Sequence, residues 1–248
     1  MTELDYLRDM PSAYLRSFRA RVTALPPGAV VLDRTLFYPA GGGQPCDRGS
    51  LALSDGTLVP IVDVVKSGGS VLHRVGRGPG AKSPLLRVGA EVEGTIDWER
   101  RHRHMRLHTA QHLVSAILFA DAGLKTRKAT LNGTRGSIEL EAPWPADRPW
   151  TTVTERVDAY TSTPHEVRIV QVPRAKWDVA PSARAGLVPL PVGVDPVRVV
   201  EIDGIDQCPC GGTHVRSTGE IGPIQLPPPK EGHIELEVSE RGPTTPAE

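Results

Sequence analysis

Cysteine is scarce in this sequence. Cys46, Cys208 and Cys210 are the only three in 248 residues, too few for a disulfide-built secreted scaffold, and they remain available to a metal as thiols. A net charge is missing too. The 29 basic residues balance the 29 acidic ones, which argues against a general nucleic-acid coat protein, whose surface would be basic. A local basic patch can still guide a phosphate backbone. Nothing approaches the roughly 18 consecutive apolar residues of a membrane span, and no opening apolar stretch reads as a signal peptide. The expectation is an intracellular, cytoplasmic chain with no membrane partner.

Proline and glycine are plentiful, at 24 and 25 residues. They fall between apolar runs, so they punctuate many short elements instead of marking disorder. With 39% apolar residues the chain can bury a substantial core, and two domains are as plausible as one. Extended stretches are expected at 19–24, 30–37, 57–65, 70–75 and 91–96, with a hairpin turn at Ser67-Gly68-Gly69-Ser70 and a surface loop at 76–82. The character changes at Asp97. Residues 98–118 predict the longest helix, without an internal proline and with Gly123 just beyond its end. Strands around a turn at Asn132-Gly133, a helix at 151–160, strands at 166–172, 197–202 and 234–238, and a turn-rich stretch at 181–196 follow. The reading is α+β: a β-rich glycine-motif domain over 1–95, an α+β domain over 96–240, and a mobile tail over 241–248.

Two short patterns carry chemistry. His108-Thr109-Ala110-Gln111-His112 places two imidazoles at i and i+4, on one face of the expected helix. Cys210-Gly211-Gly212-Thr213-His214 repeats the separation with a thiol and an imidazole, on a segment whose glycines favour a turn. Zn2+ accepts mixed sulfur and nitrogen ligands, so His108, His112, Cys210 and His214 are the expected metal ligands. Cys208 competes with Cys210 for the ion, and Cys210 fits the spaced pair better. Arg100, Arg101, Arg103 and Arg106 cluster beside the first histidine pair and are candidates for RNA phosphates, although a solvated helix face explains them equally simply.

A third pattern, Phe37-Tyr38-Pro39-Ala40-Gly41-Gly42-Gly43-Gln44-Pro45-Cys46-Asp47-Arg48-Gly49, completes a set. With HTAQH at 108–112 and CGGTHVRSTGEIG at 210–222, it resembles the AlaX-type alanyl-tRNA editing proteins and the editing domain of alanyl-tRNA synthetase, over roughly residues 20–238. The resemblance implies a β-barrel-like amino-terminal domain joined to a zinc-containing α+β editing domain, in the longer freestanding form. It implies trans-editing hydrolysis of Ser-tRNA(Ala), and of Gly-tRNA(Ala) as a second substrate, in the service of translation fidelity. The modestly charged segment 227–233 departs from the basic region that often follows in the family. Gly41, Gly42, Gly43, Gln44, Thr109, Gln111, Thr130 and Thr213 are candidates for the substrate pocket, and no residue stands out as a general base. The alternatives are a zinc hydrolase for another ester or amide, or a non-enzymatic RNA-binding module that zinc only stabilises.

Overall fold

The computed structural model describes residues 1–76, 86–179 and 190–240. Apart from Gly76, the loop expected at 76–82 lies outside the described residues, as do most of the turn-rich stretch at 181–196 and the expected tail at 241–248. The elements run β1 (Glu3–Leu4), α1 (Met10–Ala13), β2 (Ser17–Ala24), β3 (Ala29–Leu32), β4 (Arg34–Thr35), β5 (Gly49–Ala52), β6 (Leu58–Ser67), β7 (Ser70–Val75), β8 (Glu91–Ile96) and α2 (Trp98–Ala122). They continue with β9 (Thr126–Asn132), β10 (Arg135–Leu140), α3 (Thr151–Ser162), β11 (Val167–Val172), α4 (Arg174–Trp177), β12 (Val197–Ile202), β13 (Asp206–Pro209), β14 (Ile224–Gln225) and β15 (His233–Val238). The chain divides into two compact units. One comprises Met1–Gly41 and Pro45–Arg101, the other Gly42–Gln44 and the chain from His102 onward.

In the first unit, β2, β3, β7, β6, β5 and β8 close into a six-stranded barrel in that order. Strand β8 alternates strictly, with Val92, Gly94 and Ile96 inward, as a strand buried on one face must. Strands β2 and β6 break the alternation because the register shifts between Val22 and Ala24 and between Ile61 and Asp63. Each shift inserts an extra residue and turns the following side chains over, which helps a sheet curl into a barrel. The interior is filled by Val22, Val30, Leu32, Phe37, Leu51, Ile61 and their neighbours. Two polar groups sit among them. His73 donates from Nδ1 to the Val30 carbonyl and accepts from Thr35. The fully buried Arg101 is ion-paired to the equally buried Asp47 and also donates to the carbonyls of Ala13 and Leu36.

The second unit contains a four-stranded antiparallel sheet, β14-β15-β10-β9, and a three-stranded one, β11-β12-β13. Most of α2 belongs to it. Asp97 caps this helix by accepting from the Arg100 amide, and Gly123, at φ +69°, ends it by turning its amide back to the Phe119 carbonyl. From His104 to Leu118 every residue of α2 is buried. An ordinary surface helix buries one stripe, so this one must satisfy its polar side chains internally. His104, Arg106, His108, Thr109, Gln111, His112 and Ser115 are those side chains, and the partners of His108 and His112 define the site. None of the described helices is long and apolar enough to cross a membrane.

Candidate metal centre

The first pair comes from the middle of α2, where the i, i+4 spacing stacks the rings of His108 and His112 at 5.1 Å between centroids. The second pair follows β13. The amide of Cys210 continues the β12–β13 ladder by donating to the Arg198 carbonyl, and the chain then turns through Gly211 and Gly212. Arg198 holds that turn by donating to the carbonyls of Cys210 and Gly212. His214 arrives 4.3 Å from His108 and 4.6 Å from His112, centroid to centroid. One ligand atom from each of His108, His112, Cys210 and His214 lies within 4.8 Å of all the others, so the four could hold one metal ion.

Hydrogen bonds at the far side of the His108 and His214 rings decide which nitrogen faces the cluster. The Gln44 Oε1 accepts from the backbone amide of Thr213 at 3.2 Å, which fixes the orientation of the amide group, and its Nε2 donates to Thr213 Oγ1. At 2.8 Å from that same Oε1, His108 Nδ1 must be the donor. Thr109 Oγ1 gives its proton to the Met105 carbonyl, so it can only accept from His214 Nδ1, 3.1 Å away. His112 Nδ1 faces the carboxylate of Asp206 at 3.4 Å. A neutral imidazole protonated on Nδ1 carries its lone pair on Nε2. The Nε2 atoms of His108 and His214 lie 3.6 and 3.4 Å from Cys210 Sγ.

The protonation states fit a metal as well. Cys210 is held well below the usual thiol range: burial, the largest single influence, pushes it up, but the surrounding histidines, His108 and His214 first, together outweigh it. The amide of Gly212 also points at the sulfur, at 3.3 Å. His214 is pushed well below the ordinary histidine range by burial and then by neighbouring His108. A thiolate beside the imidazole of His214, held neutral, is a donor pair that binds zinc-like ions.

The glycine motif enters this unit through Gly42–Gln44. Gly43 sits at φ +86°, and a Cβ there would fall 3.1 Å from the Ala129 carbonyl carbon and closer to its oxygen. Its own carbonyl accepts from the Leu131 amide. Only glycine permits this approach to β9, and the approach delivers Gln44 to His108.

The sequence candidates separate into groups. Gln44, Thr109 and Thr213 are buried and engaged in supporting the histidines. Gln111 is also buried, and its Nε2 donates to Ser115, which is linked to Thr126. Gly41, Gly42 and Gly43 are exposed. Thr130 lies in an open groove of about 530 Å³ with Asn132, Ser137, Gln225 and Glu235, none of them a member of the four-residue group. The arginine patch needs correction. Arg101 and Arg106 are buried, the first on Asp47 and the second on the carbonyls of Ile221 and Ser239, so neither side chain reaches a phosphate. Arg100 and Arg103 retain partial exposure. Two residues escaped the sequence reading, Arg198 and Asp206. The signal for Asp206 was its place two residues before Cys208 and four before Cys210.

Comparison with known proteins places these features in a family. Residues 13–100 match the family described as class II (A) tRNA synthetases, and residues 197–234 match the second additional domain of threonyl and alanyl tRNA synthetases. The chain is 37% identical over 235 residues to the alanyl-tRNA editing protein AlaX-M of Methanosarcina acetivorans, covering 91% of this chain and 92% of that protein. It is 34% identical over 232 residues to AlaX-M of Saccharolobus solfataricus, with coverage of 91% and 92%. Against the alanine–tRNA ligase of Pyrococcus furiosus the identity is 32% over 247 residues, spanning 91% of this chain and 25% of the ligase.

Proposed function

Because this chain belongs to the alanyl-tRNA editing family, we propose that it hydrolyses mischarged Ser-tRNA(Ala), and Gly-tRNA(Ala) second, at a zinc centre held by His108, His112, Cys210 and His214. The reaction cleaves the ester between the amino acid and the terminal ribose. One observation carries the reading: His108 and His214 each commit Nδ1 to an acceptor, which leaves their Nε2 lone pairs facing a thiolate, with His112 beside them. Bound there, zinc would supply the positive charge that polarises an ester carbonyl or water.

The protein's own groups do the rest. Gln44 and Thr109 hold His108 and His214 in place, Thr213 braces Gln44, and Arg198 clamps the loop that carries Cys210. Selectivity rests on the hydroxyl that distinguishes serine from alanine. A site that hydrogen-bonds a substrate hydroxyl rejects the analogue lacking it by roughly 10⁴ or more. Gln111 is the candidate for that contact. Its Oε1 is buried with no hydrogen-bond partner, an arrangement that costs about 1–3 kcal/mol until an acceptor's partner arrives. This role is in keeping with its position between His108 and His112.

A deacylation panel tests the reading, with purified protein and tRNA(Ala) charged with serine, glycine or alanine beside a mischarged control tRNA. Faster loss of serine than alanine is expected, and Gln111→Leu should narrow that preference. Equal loss of serine and alanine would remove the specificity. Turnover of unrelated esters alone would point to another zinc hydrolase, and binding without turnover to an RNA-binding module.

A further inference from the structure

His112 differs from the other two histidines of the centre. His108 and His214 rest on neutral acceptors, an amide oxygen and a hydroxyl, whereas the partner behind His112 is a carboxylate. Asp206 Oδ2 lies 3.4 Å from His112 Nδ1, with the two side chains 3% and 4% exposed. Asp206 opens β13, where it pairs with Ile202, and Cys208 pairs with Val200. Alternation along the strand buries Asp206 and Cys208 on one face. Cys210 follows two residues later on the continued ladder. One short strand thus sets a carboxylate behind His112 and delivers the thiol in front of it.

We propose that Asp206 is a positioning residue that holds His112 in the Nδ1–H tautomer with its Nε2 lone pair turned to the metal-binding cluster. This rests on the zinc reading given above. At 3.4 Å the contact is an ion-pair distance and not a hydrogen bond, but an ionised carboxylate offers no proton and favours one on the nitrogen that faces it, so Asp206 favours Nδ1–H and an unprotonated Nε2. The pair also serves charge balance. A divalent ion with one thiolate leaves a net positive charge in a buried site, and the Asp206 carboxylate brings the sum to zero.

The same residues suggest a rival arrangement. His112, Asp206 and Cys208 bring their ligand atoms within 4.8 Å of one another and could hold a second ion. For His112 to serve both ions, its ring would have to lose both nitrogen protons. An Nδ1–H facing Asp206 requires no such loss, and the single-ion arrangement is favoured for that reason.

The experiment uses the full chain in two measurements. In the metal-free wild type, long-range ¹H–¹⁵N spectra of the imidazoles should show His112 as the Nδ1–H tautomer. In Asp206→Asn, whose amide can donate instead, the population should shift toward Nε2–H. Competition with a chromophoric chelator should show zinc binding about 10–100-fold weaker in Asp206→Asn, while Cys208→Ala keeps one tightly bound zinc per chain. An Nε2–H tautomer in the wild type overturns the proposal, and this arm decides even if Asp206→Asn fails to fold. Wild-type zinc affinity in folded Asp206→Asn overturns it as well. So does a stoichiometry of two ions that falls to one in that variant. A wild type that binds no zinc defeats the zinc reading instead, and the tautomer still decides the role of Asp206.

Discussion

Replacing Gly212 with alanine should damage the metal centre, whereas the same change at Gly211 should not. A Cβ on Gly212 would lie 2.5 Å from His108 Nδ1, closer still to Cε1, and 3.1 Å from Gln44 Oε1. The contact with Nδ1 alone is 0.9 Å inside the 3.4 Å at which ordinary van der Waals contact begins. Neither neighbour can yield cheaply. The His108 ring is buried and tied to Gln44 at 2.8 Å, and Gln44 is tied in turn to Thr213. Overpacking of this kind costs about 1–3 kcal/mol. If the ring moves to relieve it, Nε2 leaves the common point, and ligand distances tolerate only about 0.2 Å. Charged to binding, that range is about 5- to 150-fold in zinc affinity. Gly211 has open space where its Cβ would stand, and its φ is not positive. Chelator competition on the two variants, with thermal unfolding as a control, measures the contrast. Equal zinc affinity in Gly212→Ala and Gly211→Ala would refute the packing argument.

Two further outcomes follow from buried charge. His73, inside the barrel, is pushed down to about 4 by burial, against the opposing hydrogen bond to Val30. Its folded value is below its unfolded value, so the neutral ring's contribution is fully present above pH 6.5 and is lost as pH falls toward 4, up to about 3 kcal/mol. An NMR titration midpoint near 6.5 for this ring would contradict that. Among the arginines, Arg101→Met strands the buried Asp47 carboxylate and should cost about 3–5 kcal/mol in urea unfolding. Arg103→Glu, at a side chain 41% exposed, should leave stability nearly unchanged and weaken tRNA binding with a shallower salt dependence. The opposite ranking in stability would show that the burial argument fails.

The ligand pairs were legible because i, i+4 spacing is a property of the chain itself. The long helix was legible from the absence of proline and from Gly123, and it runs to Ala122 where 118 was expected. The charge of an arginine, by contrast, reads the same in a sequence whether it is solvated or buried. Arg101 looked like a surface residue because its partner, Asp47, lies 54 positions away. Asp206 was hidden for a related reason. A single aspartate in a glycine-rich turn region resembles a solvated loop residue until β13 pairs with β12 and turns it inward. Strand β5 was also missed, since Gly49-Ser-Leu-Ala is too short to show alternation, and the bulges at Val22 and Ile61 blurred the period of the longer strands.

X-ray absorption at the zinc edge of the purified protein tests the central claim most directly, because it counts donor types without relying on activity. The account predicts one sulfur at about 2.3 Å and three imidazole nitrogens at about 2.0–2.1 Å, unchanged in Cys208→Ala and without the sulfur shell in Cys210→Ala. Two sulfurs in the wild type, or a sulfur shell lost only in Cys208→Ala, would contradict it.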